Sequence, residues 1–252
     1  MGTSTILTID IGNTALKAAV YEGERLVQSV VSGVVSPEVP EALMTCNTFD
    51  GIAYCCVGDD SAGVGESLRG YGLPFLKLDA GTPLPIEVDY DSRGSLGVDR
   101  VAAAVGVASP GEAVLVADAG TAVTVDLVAD GHFRGGNISP GLKLRFRSLN
   151  AFTSRLPLVG AEGELPVWGH DTTTAIRAGV VRGLVAELRA AFEAAAAGHD
   201  ALRMTLTGGD AEILAPLLSQ AGVPVSVDSQ AVGRGLVRIF EYNKQLDQRL
   251  QG

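Results

Sequence analysis

Residues 5–20 read TILTIDIGNTALKAAV, and residues 113–128 repeat the pattern as AVLVADAGTAVTVDLV. In each copy an apolar strand runs into Asp-x-Gly, small hydroxyl or amide residues follow, and a second apolar strand begins. Asp10 and Asp118 fall in register at an offset of 118 − 10 = 108 residues. Two copies at so long an offset argue against a solenoid and predict two domains related by duplication. The alternative is a chance likeness between two strand–turn–strand units.

The rest of the chain alternates between strand-like and helix-like segments, which favours an α/β fold. Helical spacing marks Leu96–Ala108, and a long Ala-rich helix is predicted from Thr172 to Ala197. Between the first of these helices and the second sequence copy, Ser109-Pro110-Gly111 breaks the pattern. We therefore predict an N-terminal domain over residues 1–110 and a C-terminal domain over residues 111–252, the latter ending in a helical tail.

Composition restricts the classes of partner. The formal net charge of −10 argues against a nucleic-acid or anionic-membrane partner, because both need basic patches. No apolar stretch approaches the roughly 18–20 residues of a membrane span. The three cysteines, Cys46, Cys55 and Cys56, lack the spacing of a disulfide framework or a zinc site. Cys55 and Cys56 lie in an apolar run and are expected to pack in the core, and a reducing cytoplasm is the expected location.

The first turn, Asp10-Ile11-Gly12-Asn13-Thr14, has the features of a phosphate-binding site. Gly12 permits a tight turn, and its backbone N–H groups, with the side chains that follow, would cradle phosphate oxygens. Lys17 adds a positive charge, and Asp10 is expected to position a hydrated Mg²⁺. The Gly-x-x-x-x-Gly-Lys-Ser/Thr pattern of a Walker loop is absent. The alternative is a plain hairpin turn built from Asp and Asn.

Two later segments strengthen that interpretation. Asp118–Thr124 supplies a second phosphate turn, and paired turns facing each other across a cleft are typical of the actin, Hsp70 and sugar-kinase superfamily. Gly208-Gly209-Asp210 follows a predicted strand, where its glycines would let a nucleotide approach. The alternative for this third segment is a helix-entry turn capped by Asp210.

Leu96–Arg100 opens a helix and is the candidate acceptor site. Asp99 is placed to accept a hydroxyl proton as that hydroxyl attacks a γ-phosphate, although a carboxylate near a helix N-terminus also simply favours the helix dipole. Arg100 would bind an anionic substrate, and Tyr90 precedes it in a Gly-rich loop.

Five motifs in this order and spacing resemble type III pantothenate kinases. They are Asp10–Thr14 with Lys17, Gly97–Arg100, Asp118–Ala122, Gly135–Gly141, and Thr172–Ile176 with Gly179. The resemblance implies two duplicated actin-like (ribonuclease H-like) domains with a nucleotide cleft between them. It also implies phosphorylation of pantothenate by ATP, the first step of coenzyme A synthesis, by a homodimer that needs Mg²⁺ and a monovalent cation such as K⁺ or NH₄⁺.

The resemblance also assigns roles, residue by residue. Asp99 resembles the general base and Asp118 the monovalent-cation ligand. The ATP-binding positions correspond to Asp10, Ile11, Gly12, Asn13, Thr14, Ala15, Leu16, Lys17 and Thr121. The pantothenate contacts correspond to Tyr90, Gly97, Val98, Asp99, Arg100 and Thr172. The sequence departs from the family at Val98, where Ala is common, and at residues 91–95, which lack the usual Asn/Thr-Pro.

Two alternatives to this activity remain from the residues. One is a kinase of the same superfamily that acts on a sugar or another small hydroxy acid. The other is a non-catalytic regulatory homologue, since fold alone does not establish activity. His132, His170 and His199 fit no catalytic constellation, and His170 is expected in a solvated loop. Trp168 is expected to pack in the ordinary way.

Overall fold

The computed structural model describes residues 3–45 and 47–251, so Cys46 lies outside the described residues. The chain divides into two compact units. The first comprises the chain up to Pro110, together with Asp130–Arg134 and the segment from Gln230 onward. The second comprises Gly111–Ala129 and Gly135–Ser229.

The first unit contains a five-stranded sheet in the order β3-β2-β1-β4-β5. Strands β1, β2 and β3 form an antiparallel meander, whereas β4 pairs parallel with β1, and β5 pairs parallel with β4. Buried residues dominate β1, β2 and β4, as expected for strands covered on both faces. The strands are β1 (Thr5–Ile11), β2 (Leu16–Glu22), β3 (Arg25–Ser32), β4 (Gly51–Cys56) and β5 (Phe75–Lys77).

The second unit repeats this topology with strands in the order β9-β8-β7-β10-β11. Again the first two strands form an antiparallel hairpin, and the last two continue the sheet in parallel. The predicted duplication is therefore a property of the fold as well as of the two turns. The strands are β7 (Val114–Ala119), β8 (Ala122–Ala129), β9 (His132–Pro140), β10 (Arg203–Thr207) and β11 (Val225–Val227). The start of β9 lies in the first unit, where it pairs with the short strand β6 (Glu87–Val88).

Two helices of the first unit, α3 and α7, are packed backbone to backbone. A Cβ atom on Gly106 would lie 1.8 Å from the carbonyl oxygen of Ala231, and one on Gly235 would lie 1.8 Å from that of Ala102. Only glycine permits so close an approach. The helices of this unit are α1 (Glu38–Met44), α2 (Val64–Arg69), α3 (Val98–Val107) and α7 (Ala231–Gln251).

Arginine side chains of α7 also satisfy the carbonyl groups at the C-terminal end of α3. Arg234 donates from Nε to Gly106, and Arg238 donates from Nη1 to Val105 and Ala108, at 2.9–3.0 Å. Carbonyl groups at a helix end need such partners. The sequence prediction placed this tail in a domain of residues 111–252, whereas its contacts place it in the first compact unit.

The second unit has helices on its own apolar core. Leu184 and Leu188 of α5 and Leu214 and Leu218 of α6 are fully buried there. A capping box at Asp171 and Thr174 starts α5, which fixes the entry to this helix. The helices are α4 (Leu142–Ala151), α5 (Thr172–Ala196) and α6 (Ala211–Gln220). None of the helices in the described part of the chain is long and apolar enough to cross a bilayer.

Candidate active site

The first turn joins β1 to β2 and holds a buried carboxylate next to a lysine. Asp10 and Lys17 are direct cross-strand partners, and Lys17 Nζ lies 3.7 Å from Asp10 Oδ2. The loop Gly12–Ala15 between them is closed by a 2.9 Å hydrogen bond from Gly12 N–H to the Ala15 carbonyl. Asn13 and Thr14 are exposed at its tip. The predicted turn therefore exists, with Ile11 and Leu16 as the last paired residues of the two strands.

A second glycine supports the turn from β4. The N–H groups of Val57 and Gly58 both donate to the Ile11 carbonyl, at 2.9 and 3.2 Å. A Cβ atom on Gly58 would lie 2.2 Å from the Gly12 carbonyl oxygen. Any other residue at position 58 would displace the turn, so its backbone is held from two directions.

Asp10 is 8% exposed, and its surroundings shift its pKa in opposite directions. Burial raises the pKa of Asp10 because it disfavours the charged form, and Lys17 counters that rise. The negative charge of Asp99 raises the pKa further. Asp99, in the same compact unit, is therefore one of the charges that act on Asp10.

Sequence reasoning missed one contact of Asp10. Cys55, on β4, is its parallel-strand partner, and Cys55 Sγ lies 3.5 Å from Asp10 Oδ1. Burial, followed by the nearby negative charge of Asp10, raises the pKa of the Cys55 thiol well above its usual value, so the thiol remains a proton donor. The prediction that Cys55 is buried is confirmed, since the side chain has no exposed surface.

Asp99 and Arg100 are presented by the first turn of α3. Gly97 precedes this helix as its N-cap without a side-chain cap, and Asp99 Oδ1 accepts a 2.9 Å hydrogen bond from the Arg100 N–H. A Cβ atom on Gly97 would lie 2.6 Å from that same Oδ1. Glycine at position 97 therefore leaves space for the Asp99 carboxylate at the helix end.

Arg100 is almost completely buried between two aromatic rings. Its guanidinium carbon lies 5.8 Å from the centre of the Tyr90 ring and 5.7 Å from that of the Phe133 ring. The two rings meet edge to face, with centroids 6.1 Å apart. Such contacts hold a guanidinium by cation–π attraction. Tyr90 and Arg100 thus lie together as predicted, whereas Phe133 gave no local signal, because it follows Tyr90 by 43 residues.

The Tyr90 segment is anchored to the strand that carries Phe133. The N–H of Asp89 donates to the Phe133 carbonyl at 2.9 Å. The Asp89 carboxylate accepts from Arg134 at 2.8 Å and lies 3.2 Å from His132 Nδ1. These contacts, His132 first, hold the pKa of Asp89 below its usual value. His132 therefore has a structural partner outside the acceptor site.

The second turn, in the second unit, is shorter than the first by one residue. Asp118 pairs with Thr124 across β7 and β8, where the first turn has Asp10 and Lys17. The N–H of Gly120 donates to the Ala122 carbonyl at 3.0 Å. Thr124 therefore stands at the position that Lys17 occupies opposite Asp10 in the first turn.

Two further loops of the second unit lie against this turn. A Cβ atom on Gly208 would lie 2.4 Å from Asp118 Oδ1, and the φ of Gly208 is +88°, so glycine is required twice over. The Gly141 N–H donates to the Thr121 carbonyl at 3.0 Å, and the Asp210 N–H donates to Ala119 at 2.9 Å. The Gly208–Asp210 segment therefore belongs to the surroundings of the predicted turn.

Asp210 does not cap its own helix through its side chain. Its carboxylate accepts a hydrogen bond from the Leu142 N–H, at the start of α4, and burial raises its pKa. The segment Gly208-Gly209-Asp210 is thus the entry to α6, as the alternative interpretation held, but the Asp210 side chain does not cap that helix.

Three predictions concern the segment before α5. Thr172 is the first residue of α5 and is exposed. His170 is exposed, as expected for a solvated loop. The prediction of ordinary packing for Trp168 is wrong, because this side chain is 86% exposed. Apolar character alone gave no way to distinguish a core residue from one left on the surface.

Within residues 3–45 and 47–250, no three His, Cys, Asp or Glu side chains form a group that could hold a metal ion. Asp10 is a single buried carboxylate beside a phosphate-type turn. Such a site fits Mg²⁺, which keeps several waters and takes its remaining ligands from carboxylates and substrate phosphates.

The chain is similar to known proteins over most of its length. The family model described as type III pantothenate kinase matches residues 6–194. A type III pantothenate kinase from Bacteroides fragilis is 40% identical over 242 residues, covering 94% of this chain and 98% of that protein.

Solved structures show the fold. A Baf family protein from Campylobacter jejuni matches with a TM-score of 0.64 at 22% identity, over 95% of this chain and 99% of the other. A ROK family glucokinase from Streptomyces griseus, in complex with glucose and AMPPNP, matches with a TM-score of 0.52 at 13% identity, over 96% and 99% of the two chains. These matches confirm the predicted α/β fold of actin-like, ROK-kinase type. Because the family model spans most of the sequence and the B. fragilis relative matches almost end to end, the chain belongs to the type III pantothenate kinase family.

Proposed function

We propose that this protein transfers the γ-phosphoryl group of ATP to the primary hydroxyl of pantothenate, which yields 4′-phosphopantothenate and ADP. The observations that carry the proposal are the first turn, where buried Asp10 pairs with Lys17 at 3.7 Å, and the start of α3, where Asp99 stands beside the aromatic-held Arg100. A phosphate turn, a base and an anion-binding arginine are the three parts that a kinase of a small hydroxy acid needs.

The ATP phosphates are assigned to the first turn. The exposed tip of this turn, Asn13 and Thr14, offers polar groups to the ligand, and Lys17, whose side chain is 43% exposed, supplies a positive charge that can reach it. Thr121 is assigned to the nucleotide from the second turn. Mg²⁺, held through its waters by Asp10, would neutralise charge that develops on the phosphates.

The acceptor is assigned to the start of α3. The Arg100 guanidinium binds the carboxylate of pantothenate, and Tyr90, Gly97 and Val98 contact the same substrate. Thr172, in the second unit, is assigned to pantothenate only from its match to the family motif. Asp99 takes the proton of the attacking hydroxyl as the new O–P bond forms and the bond from the γ-phosphorus to ADP breaks. General base catalysis of this kind contributes about 10²–10⁴ in rate.

A monovalent cation, K⁺ or NH₄⁺, is assigned to Asp118. Asp118 holds the position in the second turn that Asp10 holds in the first, and a carboxylate oxygen is a ligand that hard cations accept. Free Cys55 and Cys56 support the proposal that the protein works in the reducing cytoplasm.

We also propose a homodimer formed through the second unit. Phe152 is 87% exposed and Trp168 is 86% exposed, and Leu158 and Val167 between them are also largely exposed. Large apolar side chains gathered in one segment of the surface mark protein interfaces. Light scattering coupled to gel filtration should give twice the chain mass, and Trp168→Ser with Phe152→Ser should give a monomer; a wild-type monomer at micromolar concentration would overturn this assignment.

The activity is tested with a panel of acceptors and direct identification of the product. With ATP, Mg²⁺ and K⁺, mass spectrometry should find 4′-phosphopantothenate, and no phosphorylated product from glucose, N-acetylmannosamine or acetate. Phosphorylation of a sugar with none of pantothenate would replace the proposed acceptor. Nucleotide binding without transfer to any acceptor would point to a regulatory homologue.

A further inference from the structure

Cys55 and Asp10 form a buried donor–acceptor pair in the middle of the first sheet. They are direct partners on the parallel strands β4 and β1, and Cys55 Sγ lies 3.5 Å from Asp10 Oδ1. Asp10 lies on β1 where the first turn begins, and Cys55 lies beside it on β4. Cys55 has no exposed surface, so its thiol cannot contact a substrate and acts only through its neighbour.

The two oxygens of the Asp10 carboxylate therefore have different partners. Oδ1 accepts from the Cys55 thiol, whereas Oδ2 lies 3.7 Å from Lys17 Nζ. A carboxylate bound at one oxygen only is free to rotate about its last torsion, which is broad for aspartate. The Cys55 thiol on β4 lies at one oxygen and the Lys17 ammonium on β2 lies near the other. Together the two groups restrict the orientation of the carboxylate plane.

We propose that Cys55 is a positioning residue for phosphoryl transfer, whose thiol fixes the Asp10 carboxylate so that Oδ2 is the oxygen offered to the waters around Mg²⁺ and ATP. This inference rests on the proposed role of Asp10. The adjacent Cys56 has another task, since its thiol lies 3.5 Å from the Gly58 carbonyl and has no contact with Asp10. One of two neighbouring cysteines is thus tied to the site, and the other serves as its control.

The test compares Cys55→Ala, which removes the donor, with Cys55→Ser, which keeps a donor in a side chain of the same shape. The matched control is Cys56→Ser. Calorimetry with Mg²⁺ and a non-hydrolysable ATP analogue measures nucleotide binding without turnover, steady-state kinetics give kcat and the two KM values, and thermal unfolding reports folding.

Cys55→Ala should weaken binding of the Mg²⁺–nucleotide about threefold to tenfold, the worth of one lost hydrogen bond to a charged group or less. The KM for pantothenate should stay unchanged, and Cys55→Ser should bind within about twofold of the wild type, since a hydroxyl also donates. Cys56→Ser should bind as the wild type. If Cys55→Ala fails to fold, Cys55→Val, which fills the space without a donor, takes its place.

Unchanged nucleotide binding in folded Cys55→Ala, or Cys55→Ser no better than Cys55→Ala, would overturn the inference. An equal loss in Cys56→Ser would do the same, because it would show a general packing effect. The variant Asp10→Asn distinguishes the proposed role of Cys55 from the proposed role of Asp10. If it weakens nucleotide binding while Cys55→Ala does not, the role of Cys55 alone is wrong; if it has no effect either, the assignment of Asp10 is wrong as well.

Discussion

Lys17 Nζ lies 3.7 Å from Asp10 Oδ2 because the two residues are direct partners across the β1–β2 hairpin. The hairpin thereby places a positive and a negative group on the same side of one turn. Burial disfavours the charged form of Asp10, and Lys17 is the main group that opposes this effect. The Lys17 side chain is exposed enough to reach a phosphate, so it can pair with Asp10 and also bind ATP.

Lys17→Met should weaken ATP binding with little effect on pantothenate. The lost charge-assisted contact is worth about 1.5–3 kcal/mol, so we expect the KM for ATP to rise at least about tenfold. Lys77→Met, which changes an exposed lysine on β5 of the same unit, is the control and should leave both KM values unchanged. Equal increases in the KM for ATP in the two variants would contradict a phosphate-binding role for Lys17.

Phe133→Leu should loosen Arg100 and so weaken pantothenate binding. A cation–π contact is worth about 0.5–2 kcal/mol, which predicts a rise in the KM for pantothenate of about twofold to thirtyfold, with the KM for ATP unchanged. The matched control is Phe75→Leu, because Arg69 lies 4.4 Å from the centre of that ring and neither residue belongs to the predicted site. It should lower stability without changing either KM; a selective effect on ATP in Phe133→Leu would contradict the assignment.

Two contacts of the candidate site could not be predicted from the sequence. They are the contact of Cys55 with Asp10 and that of Phe133 with Arg100. The turns at Asp10 and Asp118 were predictable because a strand, a glycine and small polar residues lie in one short stretch. Cys55 reaches Asp10 only through the pairing of β1 with β4, and no local pattern sets that register. The packing prediction for Trp168 was wrong for a related reason. A sequence does not say which apolar side chains remain outside the core of a single chain.

Asp118→Asn should abolish the response to K⁺. The variant keeps the size and one oxygen acceptor of the side chain but lacks the negative charge that would hold a cation. We expect wild-type turnover to rise when KCl replaces NaCl at constant ionic strength, and the variant to show equal, low rates in both salts. Full K⁺ stimulation in Asp118→Asn would contradict the assignment.

The α3–α7 contact should be sensitive to single methyl groups. In Gly235→Ala the new Cβ would lie 1.8 Å from the Ala102 carbonyl oxygen, and overpacking of this kind costs about 1–3 kcal/mol of unfolding free energy. Urea titration followed by circular dichroism measures this loss.

The control for that contact is Gly183→Ala in α5, where a Cβ would meet nothing within 4 Å. Replacement of an exposed helical glycine by alanine should raise stability by about 0.5–1 kcal/mol. Equal stability changes in the two variants would contradict the close packing of α3 on α7. The boundary between sequence-predicted domains missed this contact, because nothing local in the tail indicates that Gly235 meets Ala102.

The most direct measurement is the release of ADP in a coupled assay, with pantothenate present or omitted, for the wild type and Asp99→Asn. The account predicts that ADP release by the wild type depends on pantothenate, and that Asp99→Asn lowers kcat by about 10²–10⁴ with an unchanged unfolding temperature. Asp91→Asn, in the exposed loop before α3, should retain wild-type turnover. ADP release that is independent of pantothenate, or near-normal kcat in folded Asp99→Asn, would contradict the account.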